Sequence, residues 1–139
     1  MHSGGAPTQC ELITDYIKLK VNDTKNSVKV YSFVEDVGAS GGYWLACAGE
    51  KIYVKETSVV GSIGVVSGGF GFNKAMEKLL VERRVLHAGK NKLLNDPFLP
   101  VNQDGQEILR RILSQIHESF VNHVKNSRGD RIKEVDFDR

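Results

Sequence analysis

The chain has 139 residues, enough for one domain with one modest core, and its 40% hydrophobic and 26% charged residues are the balance of a soluble globular protein. Nineteen basic and 17 acidic residues leave a net charge of +2, and no run of Lys or Arg is long enough to track a phosphate backbone, so nucleic acid is not an expected partner. No stretch approaches the roughly 18 apolar residues of a membrane span, and no charged-then-apolar signal peptide opens the chain. Cys10 and Cys47 are too widely spaced for a zinc set or a disulfide scaffold and read as small buried hydrophobes.

In chain order, a helix is predicted first. Thr8 can cap it, Glu11 three residues on completes a capping box, and Leu12, Ile13, Tyr16 and Ile17 form an apolar stripe. Residues 22–27 read as a polar turn, and residues 28–34, rich in β-branched and aromatic side chains, as a buried strand. Residues 36–40 then turn into a short helix running through Tyr43, Trp44 and Cys47 to Gly49. Residues 52–54 are a brief strand, and residues 57–66 are apolar but broken by Gly61 and Gly64. A glycine-rich loop over 67–72 leads to a helix that Asn73 can cap, carrying Ala75, Met76, Leu79 and Leu80. Residues 84–86 are strand-like and 87–95 a polar loop. Asp104 and Glu107 form a second capping box, and the long helix behind it carries Leu109, Ile112, Ile116, Phe120 and Val124 on one face until Gly129 stops it. Strands alternate with helices, so the expected class is α/β with a largely parallel sheet.

The densest signal is Gly38-Ala39-Ser40-Gly41-Gly42, a serine framed by glycines between a strand-like and a helix-like run. A nucleophile belongs at such a turn. The backbone can bend tightly there, and the first N–H groups of the following helix lack partners and attract negative charge. The bland alternative is a serine that only caps the helix. A histidine base is poorly supplied, because the chain is short for an α/β-hydrolase, and His117 and His123, six positions apart, do not share a helix face. A lysine base is the other option: Ser–Lys pairs are an established variant, and a lysine acts as base once desolvation favours its neutral amine. Lys90 and Lys92 in Ala88-Gly89-Lys90-Asn91-Lys92 are the nearest candidates by motif.

Several ordered blocks resemble the signal peptide peptidase A (SppA) family of serine peptidases. They are Ala39-Ser40-Gly41-Gly42-Tyr43-Trp44-Leu45-Ala46-Cys47-Ala48, Val60-Gly61-Ser62-Ile63-Gly64-Val65, Ser67-Gly68-Gly69-Phe70-Gly71-Phe72, and Ala88-Gly89-Lys90-Asn91-Lys92 with Asp96-Pro97-Phe98. Ser3-Gly4-Gly5 followed by Glu11-Leu12-Ile13 resembles the family's glycine turn and the helix behind it, so the resemblance spans about residues 2–129. It implies a ClpP/crotonase-like spiral of β-β-α units and a serine endopeptidase that cleaves remnant signal peptides or membrane-protein fragments without a cofactor or metal. Residue by residue it implies Ser40 as nucleophile, Lys92 as general base, Ser62 as the group that orients the lysine amine, and the Gly4 and Gly41 N–H groups as the oxyanion hole.

The family turn usually carries Pro where Ser3 stands. The chain opens at that turn and ends soon after the long helix, so it is expected to be a single peptidase domain, residues 1–139, lacking upstream and downstream segments. The resemblance also implies a homo-oligomeric ring or dome, with serine and lysine shared between subunits, and membrane association only in a full-length protein. Two other readings remain open at this point. One is a crotonase-like acyl-CoA enzyme that would not need Ser40. The other is a non-catalytic assembling subunit of the same fold.

Overall fold

The computed structural model of the protein describes residues 2–23 and 28–132. Part of the predicted 22–27 turn, and the chain end beyond Ile132, lie outside those residues. The elements in order are β1 (His2–Ser3), α1 (Pro7–Asp23), β2 (Tyr31–Val34), β3 (Val37–Ala39), α2 (Gly41–Ala46), β4 (Lys51–Val54), β5 (Val59–Gly61), α3 (Asn73–Lys78) and α4 (Gln103–Arg128), the last closed by a 3-10 turn at Gly129–Arg131. This is a small domain of mixed helix and strand. Its strands form two sheets, ordered β1-β3-β5 and β2-β4, and all of these pairings are parallel. Successive strands therefore alternate between the sheets, with α1 following β1 and α2 following β3.

The chain divides into two compact units. One holds the described residues through Gly64 together with those from Ile116 onward, and the other is Val65–Gln115. The first contains both sheets and a core of Cys10, Trp44, Cys47, Phe120 and Val124. Trp44 packs its ring 4.9 Å from Phe120 and stacks at 4.5 Å on His123, whose Nε2 lies 3.0 Å from the Trp44 carbonyl. His123 is thus a packed helix histidine, and burial lowers its pKa below the ordinary value. Both cysteines are free and buried, as expected of small hydrophobes. The second unit holds α3, the start of α4 and long connecting loops, with no strand among its residues.

Several elements depart from expectation. Helix α1 starts at Pro7, whose fixed φ suits the first helical position, so Thr8 lies inside the first turn and the capping box does not form. Its inward face is Cys10 and Thr14, while Leu12 and Tyr16 are 57% and 61% exposed. The reason is tertiary: α1 crosses the backbone at Gly41, and only a small side chain fits between them. The buried Thr14 hydroxyl is satisfied by donating to the Cys10 carbonyl at 2.8 Å. Residues 37–39, expected to turn, form β3, and residues 28–30 are not strand. Residues 84–86 are not strand either; Leu86 is fully exposed and no strand among the described residues pairs with it. Asn73 is the first residue of α3 and gives it no side-chain cap. At α4 the cap is Asn102, whose Oδ1 accepts the Gly105 N–H at 2.9 Å, so Asp104 lies in the first turn. Gly129, at φ 51°, ends α4 as its position in the sequence predicts.

Candidate active site

The three strands of the first sheet run parallel and in register, with Ser3 beside Ala39 and Ala39 beside Gly61. The next residue on each strand is Gly4, Ser40 and Ser62, so three of the anticipated site residues form one row at the carboxyl ends of adjacent parallel strands. In open parallel sheets that edge is where ligands bind. The ladder reaches into the row: the Gly4 N–H donates to the Ala39 carbonyl at 3.3 Å, and the Ser40 N–H donates to the Gly61 carbonyl at 2.8 Å.

Every backbone in the row is left-handed in φ. Gly4 sits at 91°, Ser40 at 55° and Ser62 at 54°, with Gly61 at 102°. For serine such a conformation costs on the order of 1–3 kcal/mol and persists only where the surrounding structure enforces it. Ser40, with ψ at −123°, occupies the sharp strand-to-helix turn that lifts a nucleophile at the edge of a sheet. Its carbonyl accepts from the Tyr43 and Trp44 N–H groups at 2.9 and 3.0 Å, which starts α2. Its hydroxyl makes no cap bond to that helix, which removes the helix-capping reading of this serine.

Gly41, the first residue of α2, has no room for a side chain. A Cβ there would lie 2.8 Å from the Cys10 sulfur, 2.8 Å from the Gly4 oxygen and 3.1 Å from the Gly4 carbonyl carbon. The two glycines named as oxyanion donors are therefore backbone neighbours. The first N–H groups of a helix have no intrahelical acceptor, and a peptide N–H there is available to an anion. The Cys10 contact was not legible in the sequence, since nothing local ties residue 10 to residue 41. An open cleft of about 490 Å³ includes Gly38 and Gly42, two positions either side of Ser40, in its lining, though not Ser40 itself. It is lined by Val34, Val37, Gly38, Gly42 and Leu45, together with the Glu35–Asp36 turn.

Lys92 lies in the second unit, in a turn that opens at Gly89 with φ 95°. Its N–H donates to the Gly89 carbonyl at 3.2 Å, and its side chain is exposed, as is that of Lys90. The row of Gly4, Ser40, Gly41 and Ser62 is thus assembled within the first unit, and both candidate lysines belong to the other. Among the described residues no three His, Cys, Asp or Glu side chains converge as a metal set, and no helix is long and apolar enough to cross a membrane.

The model of peptidase family S49 matches residues 22–137. The Na(+)/H(+) antiporter NhaA of Brucella abortus (strain 2308) is 45% identical over 129 residues, which make up 93% of this chain and 17% of that protein. The chloroplastic serine protease SPPA of Arabidopsis thaliana is 30% identical over 95% of this chain and 20% of its own length. Capsid assembly protease C of Escherichia phage lambda is 28% identical over 84% of this chain and 26% of its own. The chain spans about a fifth of the length of these relatives.

Proposed function

The chain belongs to peptidase family S49 as an SppA-like member, and from that premise we propose that it is a serine endopeptidase with Ser40 as nucleophile and Lys92 as general base. The observation that carries this reading is the in-register row Gly4–Ser40–Ser62, with a strained Ser40 whose hydroxyl is not used as a helix cap. Lys92 is assigned by its place in the Ala88-Gly89-Lys90-Asn91-Lys92 block, and Ser62 is assigned to orient its amine.

In the proposed reaction the neutral Lys92 amine takes the Ser40 hydroxyl proton as Oγ forms a bond to the scissile carbonyl carbon. The oxyanion is received by the Gly41 N–H and by the Gly4 N–H, the latter exchanging its 3.3 Å bond to the Ala39 carbonyl for the substrate oxygen. Each such donor is worth about 3 kcal/mol when aimed at the developing charge. Collapse breaks the C–N bond, and the leaving amine takes the proton back from Lys92. Water, deprotonated by the same amine, then hydrolyses the acyl-enzyme. The substrate class, small or apolar side chains as in signal-peptide remnants and membrane-protein fragments, follows from the SppA-like family membership, since the cleft near Ser40 mixes Val34, Val37 and Leu45 with Ser32, Glu35 and Asp36. The alternation of strands between two sheets, each third step adding a helix, supports a ClpP/crotonase-like spiral within one peptidase domain. Assembly into a ring or dome with sites shared between subunits belongs to the same proposal. The antiporter name of the Brucella relative applies to a protein of which this chain matches 17%, and it adds no transport role to this reading.

The test is covalent labelling with a fluorophosphonate, alongside cleavage of apolar peptides. The expected result is label on Ser40 and cleavage that disappears in Ser40→Ala and Lys92→Ala. Mixing those two variants should restore part of the activity if sites are shared. Absence of label on Ser40 in a protein that still turns over substrate would sink the serine assignment and favour an acyl-CoA enzyme. A protein that assembles but neither labels nor cleaves would be the non-catalytic subunit.

A further inference from the structure

The turn that carries Lys92 has no strand to hold it, yet it is pinned from two sides within its own unit. At its far end the Asp96 N–H donates to the Leu93 carbonyl at 3.3 Å, and the Asp96 side chain is only 6% exposed. One oxygen of that carboxylate, Oδ1, takes both the Arg83 guanidinium and the Phe98 N–H, the latter at 2.9 Å. Arg83 in turn lies over the Phe98 ring, 4.8 Å from its centroid. The opposite face of the cluster is closed by Phe72, stacked on Phe98 at 5.5 Å, whose N–H donates to the Pro97 carbonyl at 2.6 Å. On the other side of the turn, Gly105 of α4 comes so close to Leu94 that a Cβ would stand 2.5 Å from the Leu94 oxygen.

This arrangement is more than a surface ion pair. An exposed Arg–carboxylate contact is worth little, as with Arg84 and Glu82, whose side chains are 85% and 73% exposed. Asp96 is half-buried with its side chain covered, charge-assisted and tied to a backbone N–H, and a guanidinium held against a ring has little freedom left. The Arg83 hydrogen bond, followed by that of the Phe98 N–H, keeps the Asp96 carboxyl below its ordinary range, so it is ionised wherever a lysine can act as base.

Resting on the reading of Lys92 as base, we infer that Asp96, clamped by Arg83 and Phe98, is a positioning residue: it fixes the 89–96 turn and thereby the reach of the Lys92 amine. Misplacing a catalytic group by about 1 Å can cost about 100-fold in rate, so loss of the clamp is read in turnover before it is read in binding.

The experiment uses Asp96→Asn, which keeps the acceptor for the Phe98 N–H but removes the charge, with Arg83→Lys as the conservative partner and Arg84→Gln as control. Two quantities are measured on each protein: kcat and KM for peptide cleavage, and hydrogen exchange at the Lys92 and Asp96 amides. Asp96→Asn should lower kcat by about 10- to 100-fold with KM within about twofold, and should speed exchange at those two amides by about tenfold while the Tyr43 and Trp44 amides stay as they were. Arg83→Lys should recover part of kcat, and Arg84→Gln should match the parent. Unchanged exchange at Lys92 and Asp96 overturns the clamp whether or not the protein cleaves. Faster exchange with unchanged kcat overturns the positioning role. A parent protein with no Ser40-dependent cleavage overturns the peptidase reading itself, and with it any role for Asp96 in turnover, while the exchange data still decide whether the clamp exists.

Discussion

Replacing Gly41 with alanine tests the site at its tightest point. Within a helix, alanine is ordinarily favoured over glycine by about 1 kcal/mol, so an unhindered substitution would stabilise α2. Here the added Cβ would lie 2.8 Å from both the Cys10 sulfur and the Gly4 oxygen. Real Cβ atoms do not approach so closely, and the Gly4 oxygen is backbone, held by a strand end that pairs with Ala39. The expected cost is that of overpacking, about 1–3 kcal/mol, which reverses the sign of the helix preference. The Gly4 and Gly41 N–H groups must also move apart, so kcat should fall about 100-fold if one oxyanion donor is lost. Urea unfolding followed by tryptophan fluorescence reads the first effect through Trp44, the only tryptophan, and initial rates on an apolar peptide read the second. The double variant Cys10→Ala/Gly41→Ala separates them. Removing the sulfur relieves one contact and should recover stability in part, whereas the Gly4 contact and the rate loss should remain. Gly64→Ala, where a Cβ meets nothing within 4 Å, is the control and should be neutral or slightly stabilising. A Gly41→Ala protein as stable and as active as the parent would refute both the clash and the oxyanion assignment.

Ser40→Gly should abolish cleavage while raising stability by about 1 kcal/mol, because glycine relieves the left-handed φ of 55°; a loss of stability by urea titration would count against the strain. Gly105→Ala should destabilise the second unit by about 1–3 kcal/mol through its contact with the Leu94 oxygen, read as faster hydrogen exchange across residues 89–96. Burial pushes the Cys47 thiol up to about 11 from an ordinary 9.0, so its contribution to stability is complete below pH 9 and lost as pH rises toward 11. Burial acts on His123 in the opposite sense: the folded state favours the neutral ring, so stability is complete above the ordinary pKa of 6.5 and declines as pH falls below it. Urea midpoints between pH 5 and pH 11 should therefore form a plateau near neutrality, with the acid limb flattened in His123→Phe and the alkaline limb flattened in Cys47→Ala.

The candidate nucleophile was legible because its signal is local. Glycines around one serine, between a β-branched run and an apolar run, prescribe a tight turn by covalent geometry alone. The same holds for the stop at Gly129 and for the end of the apolar face of α4, where Phe120 and Val124 are buried, while Ile112 on the same predicted face is 46% exposed. The strand at residues 37–39 was hidden for a physical reason. Val37-Gly38-Ala39 has little side-chain preference for a strand, and it becomes one because β1 and β5 lie on either side to pair with it. Arg84-Val85-Leu86 shows the converse, a β-like composition that joins no ladder among the described residues. The inward face of α1 was misread because Leu12 and Tyr16 are the larger hydrophobes, while the contact at Gly41 admits only a residue as small as Cys10.

By itself the sequence determined the chemistry on offer: a glycine-framed Ser40, a second serine after Gly61, two lysines after Ala88-Gly89, and a glycine pair near the start. Family blocks supplied the order of those parts. Only the tertiary structure decided that Gly4, Ser40 and Ser62 end adjacent parallel strands in one row, because register is set by hydrogen bonds between segments some 20–35 residues apart, as parallel crossovers require. It also decided that Gly41 lies against Cys10 and Gly4, and that Asp96, at the end of the lysine turn, accepts from Arg83 and the Phe98 N–H. Local propensity carries no information about which distant atom will fill the space beside a glycine.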